Sequence, residues 1–225
     1  MRDFSKNEIA KIKQAVTKKS QSFPQEWLGR ALAYTPYQPR PLHLKKSAHF
    51  TPQNLYGFSE NLFAKSQKTD FNEAQITFLQ IAKNCEKEAS AFLIESLEIL
   101  TYIRRYVSLP LIYDFLILDS YQLLESLVYG ADGVILLPKF LTQVELKDLS
   151  DYALKIGLER IFRIESKEDL TKAIFAKADI LDLSGNLSLI PLIPNNKIIL
   201  SEIPQEIPKN QENNCKALDT RILRL

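Results

Sequence analysis

Between Tyr102 and Glu202 short apolar runs alternate with capped or Pro-rich connections five times over, and few architectures accept that rhythm. The run Leu109 to Leu118 stops at Asp119-Ser120, which can cap a helix over Tyr121 to Tyr129. Gly130 then suits the left-handed position that ends a helix. Gly133 to Leu137 forms the next apolar run. Thr142 with Glu145 three residues on is a capping-box signature, and Gly157 closes that helix. Ile161 to Ile164 precedes a second such signature at Ser166 and Asp169 and a helix over Leu170 to Lys177. Asp179 to Leu183 and Lys197 to Ser201 complete the series.

Strands that alternate with helices predict a parallel sheet, because parallel neighbours need a crossover and a helix is the usual one. Periodicity alone leaves a barrel and an open sheet both standing. A chain of 225 residues with 45% hydrophobic content supports one core, close to the roughly 250 residues of an eight-stranded α/β barrel.

Several classes are excluded. No stretch approaches the roughly 20 apolar residues of a membrane span, and Met1 to Glu8 has no apolar segment of the secretory kind, so a cytoplasmic protein with no membrane partner is expected. Cys85 and Cys215 lack CxxC spacing and read as free thiols. No ligand cluster points to a metal, and no motif points to a cofactor.

Charge is uneven. Residues 1–50 carry ten Lys/Arg against three Asp/Glu, a balance of +7, and the remainder carries 19 against 24, a balance of −5. Residues 1–40 read as a basic helical arm and 41–225 as the body. The arm's lysines follow a helical pattern from Lys6 to Lys19, which describes a solvated face, or a surface that docks on the acidic body, better than a nucleic-acid interface.

The run Leu109-Pro-Leu-Ile-Tyr-Asp-Phe-Leu-Ile-Leu-Asp-Ser-Tyr-Gln122, then Glu125, Tyr129-Gly-Ala-Asp132, Ile135-Leu-Leu137, Leu141-Thr142, Glu145-Leu146, Ile156-Gly-Leu158 and Ile190-Pro-Leu-Ile-Pro194, resembles the indole-3-glycerol phosphate synthase family over roughly residues 20–204. The resemblance implies a (β/α)₈ TIM barrel with its site at the C-terminal ends of the strands. It also implies closure of an anilino-deoxyribulose phosphate ring with loss of carbon dioxide and water. That chemistry needs a general acid for the carbonyl oxygen and the leaving hydroxyl, a general base, and cations for the substrate's carboxylate and phosphate.

Carried onto this sequence, the family's motifs meet different residues. The third-strand lysine that acts as acid falls on Asp114, or on Tyr113 if the Asp-Phe pair is aligned. The fifth-strand glutamate that acts as base falls on Arg163, with Glu165 two residues on as a displaced substitute. A carboxylate is not a cationic acid, and a guanidinium stays protonated at any physiological pH. On the first strand the equivalents are read as His43, Lys45 and Ala48. The aromatic loop after strand two is missing, strand six offers Ser184-Gly185-Asn186-Leu187, and strand seven keeps Glu202. Lys45, Asn186 and Glu202 are the candidate substrate contacts, and Lys45, Asp114, Arg163, Glu165 and Glu202 can form a charged mouth.

No glycine follows Glu202, so neither a phosphate cradle nor a small phosphorylated ligand is expected. The barrel is expected to be incomplete or irregular between strands seven and eight unless Ile222 and Leu223 close it. Together these departures predict a non-catalytic binding or scaffold protein that engages a partner or a second copy. The alternative is an active or altered-specificity lyase of the same type in tryptophan biosynthesis.

Overall fold

A computed structural model describes residues 4–35, 37–46, 53–58, 71–202 and 217–224, with the side chains of 71–74 excepted. Helices α1 (Lys6–Ser22) and α2 (Gln25–Ala31) precede β1 (Gln53–Phe58), α3 (Phe71–Cys85), β2 (Ala89–Ile94), α4 (Leu97–Arg104) and β3 (Leu111–Tyr113). Next come α5 (Ser120–Val128), β4 (Gly133–Leu136), α6 (Gln143–Lys155), β5 (Glu159–Arg163) and α7 (Lys167–Phe175). The series ends with β6 (Ile180–Asp182), β7 (Ile198–Glu202) and β8 (Thr220–Arg224), and single 3-10 turns follow α2, β4 and β6.

The eight strands form a closed parallel barrel in sequence order, so the architecture is a TIM barrel. β8 pairs with β1 from Gln53↔Thr220 to Gly57↔Arg224 and with β7 from Leu200↔Thr220 to Glu202↔Ile222. The expected gap after strand seven is therefore not there: Ile222 points into the lumen and supplies the missing wall. Closure also removes the unpaired edges that an open seven-stranded sheet would present.

Local signals account for the frame. Asp119 caps α5, and reciprocal capping boxes start α6 at Thr142–Glu145 and α7 at Ser166–Asp169. Gly130 at φ +95° and Gly157 at φ +84° end the helices before them in a conformation that penalises a side chain. The third strand is shorter than its apolar run suggests: after Asp114, whose amide still donates to the Ile94 carbonyl (2.9 Å), the chain leaves the sheet.

Inside the barrel, Leu55, Leu93, Ile112, Ile135, Ile161, Ile180, Leu200 and Ile222 make one aliphatic layer, each side chain contributing about 1.5–3 kcal/mol by leaving water. Leu42 and Leu44 plug this layer from the N-terminal end of the strands. They do so because Tyr37 to Arg40 is latched to the base. Asp132, fully buried before β4, accepts the Arg40 amide (2.6 Å) and the Leu111 amide (2.8 Å) and pairs with the Arg104 guanidinium, which donates in turn to the Gln38 carbonyl (2.7 Å). Burial pushes the Asp132 carboxyl upward, outweighing those amides and the guanidinium.

This latch corrects the reading of strand one. The alternation Leu42-His43-Leu44-Lys45 is the plug, not the strand. His43 and Lys45 are exposed, and the Lys45 amide bonds Gln53 at the start of β1 (2.9 Å). Lys45 thus lies at the end of the barrel opposite the catalytic face of such folds, and Ala48 falls outside the described residues.

Two outcomes are expected. Removing residues 217–225 should expose the edges of β1 and β7 and cause aggregation, read by light scattering; an unchanged soluble particle would refute the closing role of β8. Asp132→Ala should lower the free energy of urea unfolding by about 3–5 kcal/mol, since it leaves Arg104 buried without its carboxylate.

Candidate active site

The strand ends opposite the plug carry charge. Above the aliphatic layer the lumen is lined by Glu95 after β2, Asp114 after β3, Arg163 ending β5, Asp182 ending β6, Glu202 ending β7 and Arg224 ending β8. Parity places them there: each lies two residues beyond an aliphatic residue of the layer below, facing the same way.

Arg163, only 6% exposed, organises the layer. Its Nη1 and Nη2 donate to Asp114 Oδ1 (2.7 Å) and Oδ2 (3.0 Å) in a bidentate pair, and its Nε donates to Asp182 Oδ2 (2.6 Å). Asp182 Oδ1 accepts the Ser184 amide (2.9 Å). On the far side of the lumen Arg224 Nη1 lies 2.9 Å from Asp114 Oδ2, and Arg224 Nε donates to Glu202 Oε1 (2.8 Å). Glu95 stands 4.0 Å from the same Nη1.

A network thus crosses the mouth from β6 through β5, β3 and β8 to β7. Arg224 has room because Gly57 faces it: a Cβ at Gly57 would stand 2.8 Å from Arg224 Cδ. Gly57 is the inward residue of β1 at this height, the place the sequence reading gave to His43.

Burial raises the Asp114 carboxyl, but the Arg163 and Arg224 guanidiniums outweigh it and hold the group down to about 2. Burial opposes the charge on Arg163 and on Arg224. In both cases the facing carboxylates win, and both guanidiniums are held above their ordinary value. Among the described residues two guanidiniums stand against four carboxylates in this layer, a formal balance of −2.

A second pair occupies the rim. Lys139, in the 3-10 turn Pro138–Phe140 after β4, places Nζ 3.2 Å from Glu165 Oε2, and both side chains are partly exposed. Asn186 donates from Nδ2 to the Glu165 carbonyl (2.9 Å) and accepts from Ser188 (2.6 Å), so its amide ties the β6 loop to the β5 loop. Phe4, preceding α1, packs edge-on against Phe115 and Phe140, each at 5.8 Å, and walls this side of the mouth.

Asp114, Arg163 and Glu202 come together in one network, Glu165 and Asn186 stand beside it, and Lys45 does not belong. Arg224 and Lys139 were missed. Arg224 lies in a tail read only for its apolar residues, and Lys139 lies in a turn without a motif. Tyr113, the other alignment of the acid position, is buried and stacked on Phe115 (6.0 Å) outside the lumen layer. Among the described residues no group of three metal-ligating side chains occurs, and no helix is long and apolar enough to cross a membrane.

The family model of indole-3-glycerol phosphate synthase matches residues 75–189. The indole-3-glycerol phosphate synthase of Campylobacter concisus is 38% identical over 215 residues, covering 86% of this chain and 81% of its own. That of Sulfurimonas denitrificans is 35% identical over the same shares. Among solved structures, the tryptophan synthase α-subunit of Pyrococcus furiosus superposes with a TM-score of 0.54 at 13% identity, covering 81% of this chain and 88% of its own. The N-acetylmannosamine-6-phosphate 2-epimerase of Clostridium perfringens gives 0.57 at 11%, covering 76% and 86%; both likenesses concern the fold alone.

The named relatives overturn the expectation of a non-catalytic scaffold and favour the alternative, a lyase of the synthase type. The charged layer gives the physical reason. The signs at positions 114 and 163 are inverted with respect to the resemblance, but the charges are not lost. With a family model over half its length and synthases 35–38% identical along most of it, the chain belongs to the indole-3-glycerol phosphate synthase family.

Proposed function

We propose that the chain is a ring-closing carboxy-lyase of the indole-3-glycerol phosphate synthase type, serving tryptophan biosynthesis. The observation that carries this reading is the set of relatives bearing that name at 35–38% identity along 81% of their length. The geometry supports it with a charged mouth at the C-terminal ends of the strands, where barrel enzymes hold their sites.

Within that reading the two guanidiniums act by fixed charge. Arg163 is enclosed, and its charge is answered within the layer by Asp114 and Asp182, so it holds those carboxylates in place rather than meeting substrate. The Arg224 side chain, 25% exposed, reaches the open mouth and can meet the substrate's carboxylate or phosphate. Neither can move a proton at neutral pH.

A second reading, the same type of reaction on a less anionic substrate, is favoured by one observation, the −2 balance of the layer. Purified protein given the anilino-deoxyribulose phosphate should release carbon dioxide and form a fluorescent indole, and the gene should restore growth of a tryptophan auxotroph. A folded protein with no product above the uncatalysed rate would sink the first reading. A higher kcat/KM on the dephosphorylated analogue would select the second.

The same network sets acid tolerance. Asp114 titrates near 2 in the folded chain against 3.8 as a free side chain, so its stabilisation, about 2 kcal/mol, is complete above pH 4 and vanishes as pH falls through 2. Asp114→Asn should be less stable than the wild type by about 3–5 kcal/mol at pH 6, since the buried Arg163 loses one of its two carboxylates and Arg224 loses the same partner. That deficit should shrink by about 2 kcal/mol in urea titrations at pH 2. An equal deficit at both pH values would refute the assignment.

A further inference from the structure

The ring closure moves protons, and the Arg163–Asp114 centre of the lumen network, which stands where the resemblance has its acid and base, is unsuited to moving them. Arg163 stays charged, and Asp114 is clamped by two guanidiniums and protonates only near pH 2. The rim pair is different in kind. Lys139 and Glu165 are an ammonium and a carboxylate, groups that do exchange protons, and they face each other across adjacent βα loops at 3.2 Å. Their side chains are 39% and 28% exposed, so a ligand entering the mouth can reach both.

Their placement is also firm. The Glu165 amide and the Ser166 amide both donate to Asp169 Oδ2, at 3.2 and 3.1 Å, within the capping box of α7, and Asn186 holds the Glu165 carbonyl. The turn that carries Lys139 is braced by Lys172, which donates to the Pro138 carbonyl (3.4 Å), and by the Phe140 ring, 5.6 Å from Lys139 Nζ and wedged against Phe4. Sites built on such supported loops keep the precision that proton transfer requires.

We propose that Lys139 and Glu165 are the proton-transfer pair of this enzyme, doing the work that the lysine and glutamate of strands three and five do in the resemblance. The assignment rests on the lyase reading above. The ammonium of Lys139 gives its proton to the ketone oxygen as the aromatic carbon bonds the carbonyl carbon. The carboxylate then leaves as carbon dioxide, returning its bonding pair to the ring. A second proton takes the hydroxyl away as water while Glu165 removes a proton from the carbon beside it. Two protons are delivered and one is recovered, and the solvent supplies the difference, matching the single negative charge lost with the carboxylate.

The test measures steady-state kinetics and pH profiles of the full chain on the anilino-deoxyribulose phosphate. Lys139→Met and Glu165→Gln should each lower kcat by about 100-fold or more with KM changed by less than about fivefold. Glu165→Gln should also erase the acid limb of kcat/KM, and Glu165→Asp should restore part of the rate. Lys147→Met, which breaks a comparable ion pair with Asp151 on the outer face of α6, should change nothing. An active wild type whose two rim variants stay within about threefold of it would overturn this assignment and leave the lyase reading intact. A folded but inert wild type would overturn both.

Discussion

The Arg163 guanidinium is almost enclosed, and a charge enclosed without partners costs several kcal/mol. Asp114 and Asp182 answer it with three hydrogen bonds, and that answer fixes the rest of the mouth. Once Asp114 spends one oxygen edge on Arg163, its second guanidinium must come from across the lumen, where only a long side chain reaches. Arg224 supplies it, and β1 admits Arg224 by carrying Gly57 at that height.

This coupling changes what the departures from the resemblance mean. With a lysine at 114 and a glutamate at 163, the two positions would attract. Changing only one would set carboxylate against carboxylate, or ammonium against guanidinium, at hydrogen-bonding distance. Each intermediate would bury an uncompensated charge. The two substitutions are therefore one electrostatic event, and counting them as separate losses of an acid and a base overstates the case for a scaffold without chemistry. What the inversion does change is the sign of the charge that each strand presents, and with it the place where a proton can be exchanged.

Much of the frame was legible, because helix starts are decided by a few neighbouring residues. The boxes at Thr142–Glu145 and Ser166–Asp169 and the cap at Asp119 all stand where the spacing puts them. Strand one was misread for an equally physical reason. Alternation marks a surface that is half buried, and Leu42-His43-Leu44-Lys45 is such a surface, an extended plug with two leucines in the barrel base. β1 is enclosed on both faces over its last four residues, Leu55 to Phe58, and so need not alternate. A charged mouth of Asp114, Arg163 and Glu202 was legible, but who pairs with whom in it, and the part of Arg224, were beyond reach for another reason. Asp114 and Arg163 are 49 residues apart, Asp114 and Arg224 further still, and nothing local couples their signs.

The basic arm links the two ends of the barrel. α1 buries none of its own residues, and its ion pair from Lys19 to Glu125 (2.7 Å) is half exposed and worth at most about 1 kcal/mol. The helix is held instead by a half-buried stripe, Ile9 and Ile12 on the Phe4–Leu116–Leu137 cluster and Val16 on Leu28, Tyr121 and Leu124, and by its two extremities. Phe4 is wedged against the loops of β3 and β4 at the mouth, and the segment after α2 is tied to Asp132 at the base. Seventeen helical residues span roughly 25 Å, enough to run the length of such a barrel. The lysines along α1 lie on the solvated face opposite the stripe of Ile9, Ile12 and Val16. Because Phe4 rests on Phe140, next to Lys139, this arm is also one wall of the mouth, and disturbing its anchor would be felt at the rim pair before it was felt in the enclosed Arg163 network.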